Sequence, residues 1–456
     1  MSLRDLRLAN NDKVLVFEAE DGINAGTSVA SDLAGYSGSG YVTAFDNDGD
    51  QVEVRVRIPE DGHYALIVRH ASLQGPKRNH LFVNGDAYGE LISPQTEGFI
   101  DAEVGTLYFN AGVHTVTIAK SWGNIDVDCI KLRPSTSPAP IRADFDPVNP
   151  EAGAEVRSLM RYFKDIYGKK IITGQHTATA EGPELEYIRS VTGKLPALRG
   201  FDFLSYSHAT ETRNPSEHKI WETEANKGSV EQAIEWHKKH NGIVAFCWHW
   251  YAPTGGEDKS FYTKHTDFDL TKAFDPESNE HKALLADMDE IAVQLRRLQQ
   301  EGVPVLWRPL HEADGKWFWW GAKGPEPYKK LYRWMYERFT SCHKLHHLIW
   351  VWNAPHPDWY PGDDVVDIAG MDIYVAPGNY GPLKCAFDYC SSITAKPIAL
   401  TENGPIPDPG KLIESHTPWL WYMPWYGEHC TDSTSQNQLK RIYEHPYTVT
   451  LTDLPR

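Results

Sequence analysis

Long apolar runs are missing from this chain, and so is any surplus of basic residues. No stretch approaches the ~18 uninterrupted apolar residues that a membrane helix needs, so the 456 residues are expected to fold in water. Lys and Arg number 45 against 62 Asp and Glu, a formal net charge of −17. Nucleic acid and anionic membrane surfaces both demand a basic footprint, so neither is expected as a partner. A neutral substrate suits the balance. Cysteine is scarce too: Cys129, Cys247, Cys342, Cys385, Cys390 and Cys430, with no C-x-x-C pair. That argues against a disulfide scaffold and a thiolate metal site, although Cys385 and Cys390 are near enough in sequence to bridge. The opening MSLRDL lacks the apolar core of a secretory leader, and any leader is expected to have been removed.

Aromatic rings are plentiful, with 16 Trp and 22 Tyr. A tryptophan is hard to bury whole because its N–H wants a partner. The excess therefore favours a ring-lined groove over a ring-packed core.

The length exceeds one small core and points to a large barrel with an accessory domain. Residues 1–133 contain short strand-like runs separated by Gly-containing turns. Alternation is clearest at Val52, Val54, Val56 and Ile58, with Glu53, Arg55 and Arg57 between. Many short strands at this spacing predict an antiparallel β-sandwich. PSTSPAP (Pro134–Pro140) opens a stiff Pro/Ser-rich linker over 134–145.

From residue 146 to 456 the pattern changes. Eight apolar runs begin near Ile171, Leu195, Ile243, Val303, Leu348, Val365, Pro397 and Trp419, with amphipathic helical stretches between them. Continuous apolar strands alternating with helices mean a parallel sheet. Eight such units predict a (β/α)8 TIM barrel, whose chemistry sits at the C-terminal ends of the strands.

Those ends are rich in polar residues. Strand four runs into His311 and Glu312, strand seven into Thr401, Glu402 and Asn403, strand three into His249, strand one into His176, and strand six into Asp372 and Tyr374. Two glutamates would share an aromatic-rich face, as glycosidic cleavage requires: one carboxylic acid protonates the leaving oxygen and a carboxylate ~5 Å away attacks the anomeric carbon. Arg308, four residues before Glu312, is placed on the same inward face by strand parity, where it would keep a carboxylate ionised. Trp317 and the rings after it are expected to stack on sugars. Tyr374 at a strand end is suited to hydrogen-bonding a carboxylate. A metal held by His176, His249 and His311 is the rival, but no ligand spacing supports it.

GQH on strand one, WRPLHE…GKWFWWG on strand four, DIY on strand six and ALTENG on strand seven resemble glycoside hydrolase family 26, the β-mannanases. The resemblance covers most of residues 146–430. It implies a retaining endo-acting enzyme cleaving β-1,4-mannosidic linkages of mannan, galactomannan and glucomannan, with Glu312 as acid/base and Glu402 as nucleophile. It implies that Tyr374 holds the nucleophile, that His249, His311 and Trp317 contact substrate, and that Trp425, from the cluster Trp419, Trp421 and Trp425, supplies a subsite ring. No catalytic cofactor is implied. Alternatives are a related β-glycanase acting on mixed-linkage glucan or β-1,3-xylan, an exo-acting mannobiohydrolase, or a non-catalytic glycan-binding protein.

FEAED (Phe17–Asp21), YSGSGYV (Tyr36–Val42), VNG (Val83–Gly85) and VDCIKL (Val127–Leu132) resemble carbohydrate-binding module family 35. Glu18 and Glu20 have period-two spacing, which puts both on one face of a strand, and paired carboxylates suit Ca²⁺. The resemblance implies a structural calcium held by Glu18, Glu20 and Asp128, and sugar contact by Trp122 and Asn124. Cys129 stands where that family often has an aromatic residue. Together the resemblances imply a secreted, monomeric enzyme whose partner is plant cell-wall mannan.

Overall fold

The computed structural model describes residues 14–136, 143–207, 217–257 and 259–455. The MSLRDL start and residues 137–142 of the expected linker lie outside these. Contacts divide the chain into two compact units.

The first unit contains residues 14–136 and is an antiparallel sandwich. A six-stranded sheet includes Gly62–Ala71 and Asp126–Ser135, and a five-stranded sheet includes Gln51–Ile58 and Gly112–Lys120. The alternation read at Gln51–Ile58 holds: Val52, Val54, Val56 and Ile58 are buried, and the residues between them are not. These inward rows meet Leu66, Val68, Val116, Ile118, Ile130 and Leu132 in one hydrophobic core. Asn379–Tyr389 and Gly410–Thr417, from the second half of the sequence, count with this unit, so the boundary is not a single cut.

The linker is shorter than expected at both ends. Pro134 and Ser135 finish the last sandwich strand. Phe145 is buried in the second unit's core, and the Asp144 carboxylate accepts from Lys396 Nζ at 2.7 Å.

The second unit is a parallel, nearly closed barrel. Its strands are Ile171–His176, Leu198–Asp202, Ile243–Cys247, Val305–Arg308, Leu348–Trp352, Ile368–Ile373, Ile398–Asn403 and Trp421–Tyr422. They neighbour one another in the order seven to one, followed by eight. Strand eight has only two residues, but Leu420 N donates to Ile398 O at 2.8 Å and Asn403 N to Met423 O at 3.2 Å, which ties it to strand seven. The other strands are buried at nearly every position. This is the pattern of a sheet covered on both faces.

Tryptophan fills this core. Nine of the chain's Trp residues, among them Trp248, Trp250, Trp307, Trp350 and Trp421, are fully buried. The expectation that the rings chiefly line a groove is therefore corrected. Several indoles find partners inside, as when Trp250 donates to the Asp287 carboxylate at 2.7 Å and Trp320 to the His311 carbonyl at 2.8 Å.

Candidate active site

Barrel strand four stops at Arg308. The next residues turn sharply: Leu310 has φ 54° and Glu312 φ 53°, both left-handed. That conformation costs roughly 1–2 kcal/mol for a residue with a Cβ and persists only where its surroundings enforce it. Here Asn353, just past strand five, enforces it. Its carbonyl accepts from Glu312 N at 2.6 Å and its side-chain oxygen at 3.2 Å. Because the strand has ended, period-two parity does not extend from Arg308 to Glu312, and that expectation is corrected.

Arg308 is bonded instead across the barrel. One guanidinium nitrogen donates to Asp372 Oδ2 at 2.8 Å and another to Glu402 Oε1. Tyr374, just past strand six, donates its hydroxyl to Glu402 Oε2 at 2.7 Å. Asp372 Oδ1 accepts from Asn353 Nδ2 at 2.8 Å and Thr401 Oγ1 at 2.6 Å. Trp317 Nε1 donates to Glu312 Oε2 at 3.0 Å. Glu312, Asp372 and Glu402 bring carboxylate oxygens within 4.8 Å of one another.

Three carboxylates at this range cannot all ionise easily. Burial pushes Glu312 well above the usual carboxyl range, and the charges of Asp372 and Glu402 push it further. Burial also acts to raise Glu402, but Arg308, His176 and the Tyr374 hydroxyl outweigh it and leave the group below its ordinary value. Asp372 is raised to about 7, by burial above all. The result is a protonated acid facing an ionised carboxylate, two neighbours whose environments push them apart.

Around this pair lies a cleft of about 240 Å³, with His176, Asp202, His249, Tyr374 and Trp425 among its lining residues. His176 Nε2 donates to the Thr401 carbonyl at 3.1 Å, and burial lowers its pKa to about 4. His249 contacts the Asp202 carboxylate through Nδ1 at 2.5 Å and His311 Nε2 through Nε2 at 3.2 Å.

The structure thus brings Glu312, Glu402, His249, His311, Tyr374 and Trp425 to one cleft. Trp317 reaches Glu312 and stays partly exposed, but Phe318, Trp319 and Trp320 are buried. The four-ring platform is corrected to one outward indole, with Phe318 as a buried ring of the cleft wall and Trp319 and Trp320 in the core. Trp419 and Trp421 are likewise buried, which leaves Trp425 as the cleft ring of its cluster. Among the described residues the three histidines do not gather into a metal-holding group, and His176 Nε2 is bonded to the Thr401 carbonyl. Asp202, Cys247 and His249 also converge, yet the 2.5 Å contact between His249 and Asp202 leaves no room for an ion between them. The sequence reading overlooked Asp202, although it ends strand two. Asn353 carries no motif that would have marked it.

In the sandwich, Trp122 is 65% exposed. Asn124 is engaged at both ends of its amide, accepting from Phe45 N at 3.1 Å and donating to Asp46 Oδ1 at 3.1 Å. The strand bearing Glu18 ends there, so Glu20 lies in the following turn and shares no strand face with it. The turn nevertheless brings both beside Gly38, where a Cβ would meet Glu20 Oε1 at 2.2 Å and Glu18 Cδ at 3.0 Å. Glu20 Oε2 is buried without a hydrogen-bond partner. Asp128 accepts from Ser37 N at 2.8 Å and pairs with Arg69 at 2.8 Å. An orphaned carboxylate oxygen beside further acidic oxygens fits a hard divalent cation. All six cysteines are free, Cys385 and Cys390 included.

Known proteins bear on this arrangement. Residues 148–453 match the profile of glycosyl hydrolase family 26, and residues 15–135 that of carbohydrate binding module family 35. A mannan endo-1,4-beta-mannosidase of Thermothelomyces thermophilus is 40% identical over 96% of this chain and 90% of its own length. Mannan endo-1,4-beta-mannosidase B of a Piromyces species is 34% identical over 97% of this chain and 78% of its own length. The crystal structure of a Podospora anserina beta-(1,4)-mannanase joining the same two families superposes with a TM-score of 0.65 at 38% identity, covering 97% of this chain and 98% of that one. A ruminal endo-beta-1,4-mannanase superposes at 0.66 with 30% identity over the same shares.

Proposed function

The chain belongs to glycosyl hydrolase family 26 and carries a family 35 carbohydrate-binding module, and on that premise we propose that Glu312 is the acid/base and Glu402 the nucleophile of a retaining enzyme. The activity is that of an endo-β-1,4-mannanase, a glycoside hydrolase cutting internal linkages of β-mannans. One observation carries the assignment of roles. Two carboxyl groups with oxygens within 4.8 Å are pushed to opposite ionisation. That spacing suits retention, since an inverting pair stands ~6.5–9.5 Å apart to admit a water.

In the first step the Glu312 proton passes to the glycosidic oxygen while Glu402 attacks the anomeric carbon. The C–O bond to the leaving chain breaks and a glycosyl ester forms on Glu402. In the second step Glu312, now a carboxylate, takes a proton from water. That water attacks the anomeric carbon and releases Glu402. Arg308 and Tyr374 hold the nucleophile ionised and aimed, and the Trp317 N–H orients the acid. His249, His311 and Trp425 contact the sugar bound in the cleft. No cofactor takes part.

The module would dock the enzyme on polysaccharide through Trp122 and Asn124, raising its local concentration on an insoluble chain. Glu18 and Glu20 would hold a structural calcium, with Asp128 as a third ligand whose charge Arg69 already partly offsets. The enzyme would act outside the cell, where its polymer is found. The test is product analysis on mannan, galactomannan, mixed-linkage glucan and xylan side by side, with Glu402→Ala as the control. A ladder of manno-oligosaccharides from the mannans, lost in E402A, is expected. Release from glucan or xylan instead, or an active E402A, would overturn the reading.

A further inference from the structure

The two-step mechanism leaves Asp202, at the head of the hydrogen-bonded series Asp202–His249–His311, without a task. Asp202 ends strand two opposite Cys247, the last residue of strand three, and His249 lies two residues beyond. The Asp202 carboxylate is fixed by backbone before it meets the ring: Oδ1 accepts from Leu204 N at 2.9 Å and from His249 N at 3.1 Å. Oδ2 then meets His249 Nδ1 at 2.5 Å. Burial acts to raise Asp202, but the His249 ring and the backbone amides outweigh it and keep the group below its ordinary range. An ionised carboxylate can only accept, so the Nδ1 of His249 carries a proton.

The other end of the ring is equally constrained. Nε2 of His249 lies 3.2 Å from Nε2 of His311, so one of the two must donate and the other accept. Burial holds His311 neutral, with Arg308, His249 and His176 adding to the effect. Its Nδ1 is buried and unpartnered, and the ring lines the cleft beside Glu312. When His249 is charged, it donates at both nitrogens. His311 then accepts at Nε2 and carries its own proton on Nδ1 as a donor. When His249 is neutral, the proton of the shared bond belongs to His311 and its Nδ1 becomes an acceptor. The charges facing His249 are Asp202, Glu402 and Arg308, with His311 against it and Phe261, Phe318 and Trp425 as uncharged walls. Burial alone would lower His249, but Asp202 and Glu402 raise it above its ordinary value.

We propose that Asp202 is a positioning residue for this reaction: it locks His249, a ring of the cleft wall, with a proton on Nδ1 and, through the Nε2–Nε2 hydrogen bond, sets whether the buried Nδ1 of His311 is a donor or an acceptor. This rests on the glycosidase reading above. Asp202 touches no reacting atom and acts through two rings.

The experiment is imidazole ¹⁵N–¹H NMR on the full histidine-labelled chain, wild type and Asp202→Asn, with kcat/KM on a soluble manno-oligosaccharide across pH. Asp202→Glu serves as the conservative variant. In the wild type, His249 Nδ1 should stay protonated between about pH 5 and 8 while only its Nε2 titrates. In D202N the charged form should be lost across that range. Its kcat/KM should fall on the order of 10²-fold, as misplaced groups near the chemistry do, with a changed pH profile, and D202E should restore part of both. An unprotonated Nδ1 in the wild type, or a D202N whose ring signals and kcat/KM match the wild type, would overturn the proposal. If neither variant folds, the wild-type titration still decides the tautomer. If the wild type cleaves no glycan, the glycosidase reading fails, and the ring spectra still decide the claim about Asp202.

Discussion

Replacing Arg308 with methionine removes the guanidinium that Glu402 and Asp372 share and retains much of its buried volume. An opposite charge at this range lowers a carboxyl pKa by roughly 1–3 units. Its loss should therefore raise Glu402 by a similar amount, each unit being worth about 1.4 kcal/mol. The sign follows from the nucleophile's state. Glu402 lies below its ordinary value in the folded enzyme, so it is ionised across most of the working range, and activity is lost as pH falls through its pKa. In R308M the acidic limb of the kcat/KM profile should move up by those roughly 1–3 units. Stability should follow the same linkage. The ionised pair stabilises the fold above the unfolded carboxyl pKa and ceases to as pH falls through the folded one. Breaking a buried pair costs about 3–5 kcal/mol, so the variant's loss of melting temperature should be largest near neutrality and shrink in acid, where the stranded carboxylates protonate. Arg308→Lys keeps a charge without the two-armed fork and should fall between. The assay is kcat/KM on a soluble manno-oligosaccharide, paired with thermal melts at the same pH values. An R308M whose acidic limb stays with the wild type would refute the claim that Arg308 keeps Glu402 ionised.

Tyr374→Phe removes a hydroxyl bonded to the Glu402 carboxylate at 2.7 Å; a bond to a charged group is worth about 1.5–3 kcal/mol, so kcat should drop on the order of 10- to 100-fold with folding intact. Trp317→Phe keeps a ring but loses the N–H that stabilises ionised Glu312, so the alkaline limb should shift upward in a pH–rate series. Trp122→Ala should weaken pull-down on insoluble mannan and leave hydrolysis of soluble oligosaccharides unchanged. Chelation with EDTA should lower the melting transition of the sandwich, and Glu20→Gln should abolish the calcium response, both read by calorimetry.

Much of this architecture was legible because the two periods differ so plainly. Alternation at Val52–Ile58 and the continuous apolar runs of the barrel are what half-covered and fully covered sheets demand, and both were found as read. The strands that went unread have local causes. Ile23–Ala25 and Ser28–Ala30 are too short to show a period. Asp86–Ser93 is interrupted by Gly89 at φ 134° beside a shift in register. The candidate pair was legible because strand ends converge in a barrel. Arg308 and Tyr374 were legible as groups suited to a carboxylate, but that Arg308 also crosses to Asp372 on strand six and that Asn353 reaches back from strand five to hold Glu312 were not. Such contacts depend on three-dimensional register. The aromatic block misled for a related reason: of WFWW, only Trp317 escapes the core, and nothing in four consecutive rings says which one turns outward.

The central claim is that Glu402 attacks the sugar directly and Glu312 serves first as acid and then as base. Proton NMR of the first-formed product, recorded before the new reducing ends mutarotate, tests it most directly. Two displacements at the anomeric carbon predict that the β-anomer accumulates first from a β-1,4-linked manno-oligosaccharide. Early appearance of the α-anomer would mean a single displacement by water and would contradict the role given to Glu402.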